Sequence, residues 1–129
     1  MPLEIALVTL VVRDYDQAID FYTQALGFEL IEDTDQGKGK RWVVVRPRGS
    51  SGCGFLLAQA VGVEQEAAVG RQTGGRVSFF VYTDECDRDH AAFMSRDVKF
   101  VEEPRQEAYG TVAVFLDLYG NRFDLIQRK

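Results

Sequence analysis

The feature that most constrains this chain is an internal repeat. Val8-Thr9-Leu10-Val11-Val12 aligns on Val77-Ser78-Phe79-Phe80-Val81, and Val43-Val44-Val45 falls on Val112-Ala113-Val114 at the same offset. Phe55-Leu56-Leu57 falls on Phe123-Asp124-Leu125 at an offset one residue shorter. A nearly constant offset across three strands is hard to obtain from unrelated apolar segments, so the chain reads as a duplication of one small unit.

Each copy reads as strand, helix and three strands. Leu7 to Val12 is a β-branched run that stops at Arg13-Asp14, and Asp14 is placed to cap a helix. Ala18, Ile19, Tyr22, Ala25 and Leu26 then form a one-sided helical stripe, with Gly27 as the stop. Strands follow over Phe28–Glu32, Arg41–Arg46 and Cys53–Gln59, with a polar loop around Gly37 and Gly39. Residues 62–75 show little pattern and read as a linker. The second copy has a strand over Arg76–Tyr82 and a helix capped by Thr83 or Asp84 that reaches Arg96, with Asp97 near the place of Gly27. It continues with a strand at Val98–Glu102, a loop at Pro104–Ala108 and strands at Tyr109–Leu118 and Arg122–Gln127, around a Tyr119-Gly120-Asn121 turn. The expected fold is α+β: two tandem βαβββ modules at about 5–60 and 76–129, joined by a linker at about 61–75, within one domain.

With 129 residues, 46% hydrophobic and 27% charged, the chain can fill one core, and neither disorder nor a multidomain enzyme is expected. A net charge of −5 provides no field for phosphate backbones or anionic lipid, so no nucleic-acid partner is expected. The opening apolar segment is too short for export or for spanning, so no membrane association is expected either. Cys53 and Cys86 are too few for a disulfide framework; they read as small core fillers in a cytoplasmic protein.

Strand alternation then names the candidate site. One helix per module covers one face of each sheet, so the opposite faces are free to line a cleft. If Val8, Leu10 and Val12 pack on the helix, Leu7, Thr9 and Val11 face the cleft, and the repeat adds Arg76, Ser78, Phe80 and Tyr82. Leu56 and Ala58 join from one closing strand, Asp124 and Ile126 from the other. A slip of one residue would invert every assignment.

The chain also resembles the vicinal oxygen chelate superfamily of glyoxalase I, bleomycin-resistance proteins and extradiol dioxygenases. The residues that carry the likeness are Val8 to Asp14, Ala18-Ile19-Asp20-Phe21-Tyr22, Leu26-Gly27-Phe28, Tyr109-Gly110 and the closing Phe115 to Leu125. The resemblance implies a U-shaped mixed sheet around a cleft, and commonly a homodimer. It also implies four metal-ligand positions, which here look like Leu7, Leu56, Arg76 and Asp124. Two of these are aliphatic and a guanidinium stays protonated, so no metal and no other cofactor is expected. The only histidine, His90, falls on the second helix, away from the cleft.

The expected function is therefore metal-free binding or sequestration of a small, partly aromatic organic molecule, with Leu7, Thr9, Leu56, Arg76, Ser78, Phe80, Tyr82 and Asp124 as the lining. Arg76 and Asp124 either neutralise each other or orient a ligand together. Trp42 and Tyr109 are further candidates at its edge, while Arg41, Arg46, Arg48 and Arg105 read as solvated surface. The alternative is a lactoylglutathione-lyase-like or dioxygenase-like enzyme, for which Asp124 is the only candidate base.

Overall fold

A computed structural model describes residues 2–129. The chain forms two compact units that meet in sequence at Val69 and Gly70. The first contains β1 (Leu7–Val12), α1 (Tyr15–Asp20), β2 (Phe28–Gly37), β3 (Lys40–Pro47), β4 (Gly54–Gln59) and α2 (Gly62–Ala68). Its sheet has the order β1-β4-β3-β2, with β1 parallel to β4 and the other neighbours antiparallel. The second contains β5 (Val77–Tyr82), α3 (Cys86–Ser95), β6 (Lys99–Phe100), β7 (Arg105–Glu107), β8 (Gly110–Leu116) and β9 (Arg122–Arg128). It repeats the topology as β5-β9-β8-β6, with β5 parallel to β9 and β7 added on β8. The fold is mixed α+β, as the repeat required.

In each unit, alternate residues of the strands meet the helix. Leu10, Val12, Val43, Val45 and Leu57 are fully buried in the first unit together with Ala18 and Tyr22 of the helical segment. The Tyr22 ring lies 5.4 Å from Phe28 and 5.8 Å from Phe55. In the second unit Phe115 stacks on Phe123 at 4.8 Å, and Phe93 of α3 meets Phe115 edge-on at 5.3 Å. These aromatic contacts add to the burial of apolar area that holds the helix on the sheet.

Local chemistry sets the element ends. Asp14 caps α1, its carboxylate accepting the Gln17 N–H at 2.8 Å. Gly27 ends the helical segment at φ 73°, and Asp97 takes the same left-handed conformation after α3 at φ 65°. Gly110 has φ 152°, and a Cβ there would sit 2.0 Å from the Gln127 carbonyl oxygen, which explains a glycine at the head of β8.

Several elements differ from the sequence expectation. The first helix widens into π geometry over Phe21–Ala25, where the Leu26 N–H reaches the Phe21 carbonyl and the Thr23 hydroxyl bonds back to Ile19. The polar stretch after Glu32 is the outer half of β2, not a loop: beyond Phe28 its side chains are exposed, so it shows no apolar alternation, yet its backbone pairs with β3. The stretch 62–75 holds α2, which buries no side chain and so leaves no stripe to read. Neither Thr83 nor Asp84 caps α3. The cap position is Glu85, and the Cys86 N–H is held by Gln127 Oε1 at 2.8 Å, a partner on β9. The strand at Val98–Glu102 shrinks to Lys99–Phe100, and part of the expected loop at Pro104–Ala108 is β7. Cys86 is buried as expected, but Cys53 is exposed just before β4 and fills no core.

The turn from β8 to β9 is built around Asp117. Its Oδ1 accepts the N–H groups of Tyr119 and Asn121 at 2.9 Å each, and its Oδ2 accepts Asn121 Nδ2 at 2.8 Å, with both side chains buried. Asp117→Ala strands these donors and is expected to destabilise the protein by about 3 kcal/mol in urea unfolding, with Asp117→Asn recovering part of the loss.

Candidate functional site

The sheet face turned away from α3 is set by the register of β9. Phe123 and Leu125 point to the helix side, so Asp124 and Ile126 point to the other. Asp124 pairs with Phe80 on β5 and with Val114 on β8, while Ile126 pairs with Tyr82 and Val112. Val112, Val114 and Ile126 form a buried apolar cluster on this face. Phe80 and Tyr82 beside it are 62% and 61% exposed, and the Arg128 guanidinium lies 4.0 Å over the Tyr82 ring. Tyr82 also borders a cleft of about 550 Å³ with Thr83, Asp84, Arg128 and Lys129.

Asp124 is 9% exposed, and its Oδ1 is buried without a hydrogen-bond partner. The expected pairing with Arg76 does not form. Arg76 precedes β5 in an exposed turn, its backbone N–H donating to the Thr73 carbonyl and its own carbonyl accepting from the Thr73 hydroxyl. The reason is register. A bulge between Val77 and Phe79 ends regular pairing there, and Phe80, not Ser78, stands opposite Asp124. Ser78 is the unpaired residue of that bulge and shares a hydrogen bond of 2.8 Å with Thr73. Arg76 therefore stands outside β5, off the strand on which the resemblance placed it.

The cation that acts on Asp124 is Arg105, which sequence reading left on the surface. It sits on β7 opposite Val112, and is ion-paired to Glu107 at 2.6 Å and to Glu102. Burial pushes the Asp124 carboxyl above the usual carboxylate range; Arg105 pulls it back in part, and Glu102 adds to the rise. Arg105 was missed because β7 is too short and polar to announce a strand, so its pairing partner was invisible.

In the first unit Thr9 stands opposite Leu56, Leu7 opposite Gly54, and Val44 on the other side of Leu56. Trp42, Leu56 and Ala58 line a cleft of about 770 Å³ with Tyr15, the Gln36–Arg41 hairpin tip, Val61 and Gln65. That volume suits a small organic molecule. Tyr109 is exposed and lines neither cleft. His90 packs its ring 4.4 Å from Phe100, on the α3 side. In the first unit Leu7 and Leu56 carry no donor atom, in the second Asp124 offers a single carboxylate, and among the described residues no three His, Cys, Asp or Glu side chains are grouped to hold a metal. Neither unit by itself offers a donor set that fits a divalent ion.

A carboxyl raised above its unfolded value favours folding when protonated, and its cost appears as pH rises through the raised value. Asp124→Asn is thus expected to melt at the same temperature as the parent near pH 4 and at a higher one at pH 8, read by thermal unfolding across pH.

Among the described residues no helix is long and apolar enough to cross a membrane. An uncharacterized protein of Shewanella frigidimarina is 52% identical over 128 residues, covering 98% of this chain and 95% of its own length. The crystal structure of UcmS2 superposes with a TM-score of 0.86 at 30% identity, covering 98% of both chains. That of TnmS3, an antibiotic binding protein from Streptomyces sp. CB03234, gives 0.78 at 27% identity, over 99% of this chain and 98% of the other. Residues 4–125 match the Glyoxalase/Bleomycin resistance protein/Dioxygenase superfamily, and the chain belongs to that superfamily.

Proposed function

We propose that this protein binds or sequesters a small, partly aromatic organic molecule without a metal ion. The observation that carries this reading is the pairing of two largely exposed aromatic side chains, Phe80 and Tyr82, with a nine-tenths-buried carboxylate that has no partner at its inner oxygen. Soluble proteins bury large apolar side chains and satisfy buried polar atoms, so a face that does neither is organised for something it receives. The likeness to TnmS3, an antibiotic binding protein, supports the same class of ligand. Thr9, Leu7 and Leu56 contribute an apolar and hydroxyl-bearing surface in the first unit, next to the cleft bordered by Trp42. The reading includes a homodimer, which the family resemblance implies, and a cytoplasmic location, which the cysteine content favours.

Thermal-shift screening of aromatic and peptide-antibiotic compounds tests it. A ligand at one hundred times its Kd is expected to add about 2.7 kcal/mol of stability, and a panel that moves the melting temperature nowhere counts against the reading. Phe80→Ala is expected to weaken the bound compound by about 1 kcal/mol, some fivefold in Kd, while changing stability by less than about 0.5 kcal/mol because the ring is exposed.

The competing reading, a lyase-like or dioxygenase-like enzyme, has the upward-shifted Asp124 carboxyl on its side as a base. Reactions of that kind in this superfamily use a divalent ion, and elemental analysis decides between the two. Stoichiometric zinc, nickel, iron or manganese in the purified protein overturns metal-free binding.

A further inference from the structure

We infer that Asp124 is the polar anchor of the second unit's site and selects ligands that carry a cationic nitrogen group, an amidinium, guanidinium or protonated amine, on an aromatic body. The inference rests on the binding reading above and names the charge of the molecule bound. An Arg76 placed beside Asp124 would have made the centre of this face neutral and hostile to cations. With Arg76 in the turn before β5, that objection is gone.

The groups around Asp124 set the sign. The strand neighbours directly opposite, Phe80 and Val114, carry no charge. From β7 come Arg105 and Glu107, and from the loop before it Glu102; Arg105 is committed to both glutamates through separate nitrogens. On its own strand, Arg122 and Arg128 stand at the two ends, exposed, and Arg128 is stacked on Tyr82. Arg105 is thus taken up by two carboxylates and Arg128 by the Tyr82 ring, the exposed Arg122 lies two residues along the same strand, and among the described residues no ion pair holds Asp124.

Asp124 Oδ1 is closed off, so a ligand donor meets the carboxyl at its other oxygen, and there it offsets part of the about 1–3 kcal/mol that a buried acceptor without a donor costs. A charged N–H donor forms a bond to a carboxylate roughly twice as strong as a neutral one does, and a carboxylate ligand meets repulsion instead. Phe80, directly opposite Asp124 and largely exposed, offers a flat surface for the ring that bears the cation.

Three naphthalene probes that share one ring system test this: 2-naphthamidine, 2-naphthamide and 2-naphthoate, titrated into the full chain while the Phe80 and Tyr82 ring resonances are followed by NMR. The expected result is binding of the amidine about tenfold tighter than the carboxamide, with the carboxylate weakest, and an Asp124→Asn variant in which amidine and carboxamide fall within about twofold of each other. Equal binding of all three probes, preference for the carboxylate, or an amidine preference that survives in Asp124→Asn overturns the anchor role. If the carboxamide still shifts the two rings in any of those cases, the binding reading stands. If none of the probes shifts them, both readings fall.

Discussion

Parallel pairing between the first and last strand of each unit is the constraint on which the rest of the structure depends. A parallel pair cannot be closed by a tight turn, so a helix crosses between them, and that helix can cover only one sheet face. The same pairing fixes which residues stand side by side on the uncovered face: Thr9 with Leu56, and Phe80 with Asp124. Core and candidate site are therefore two readings of one register. In β9 the alternation sends Phe123 and Leu125 into the aromatic core and Asp124 and Ile126 to the other side.

The energetic cost of this arrangement is concentrated at Asp124. A buried carboxylate oxygen without a donor is a local defect by the standards of a well-packed sheet, and the shift of its titration upward expresses the same penalty. Elsewhere in the same unit the chain satisfies its buried carboxylates fully. Asp117, a few residues earlier, gathers two backbone N–H groups and a side-chain amide within a single turn. One buried aspartate organises structure, while the other is left with capacity to spare, and sites of function are where such local inconsistency is expected.

Much of this was legible in the residues. The duplication, the cap at Asp14, the stop at Gly27, its counterpart at Asp97 and the facing of Thr9, Phe80, Tyr82 and Asp124 away from the helices all follow from short-range pattern. Elements that bury little escaped. The outer half of β2 is polar along its length, α2 buries no side chain, and β7 is a short polar strand, so none produces a hydrophobic period. The position of Arg105 went with β7, since its register opposite Val112 depends on a pairing partner in β8. Matching strands by sequence also put Ser78 opposite Thr9, whereas strand pairing gives that place to Phe80, two residues on. The difference comes from the bulge between Val77 and Phe79, which no pattern of apolar residues announces.

By itself the sequence determined the repeat, the fold class and the alternation of each strand, because alternation and helical stripe are local properties. Only the tertiary structure decided which charges meet. It left Arg76 in an exposed turn, tied Arg105 to Glu102 and Glu107, and left the Asp124 carboxylate short of a donor. The reason is that an ion pair requires a few ångströms of separation, and such distances between strands are fixed by hydrogen-bond register and bulges rather than by the order of residues.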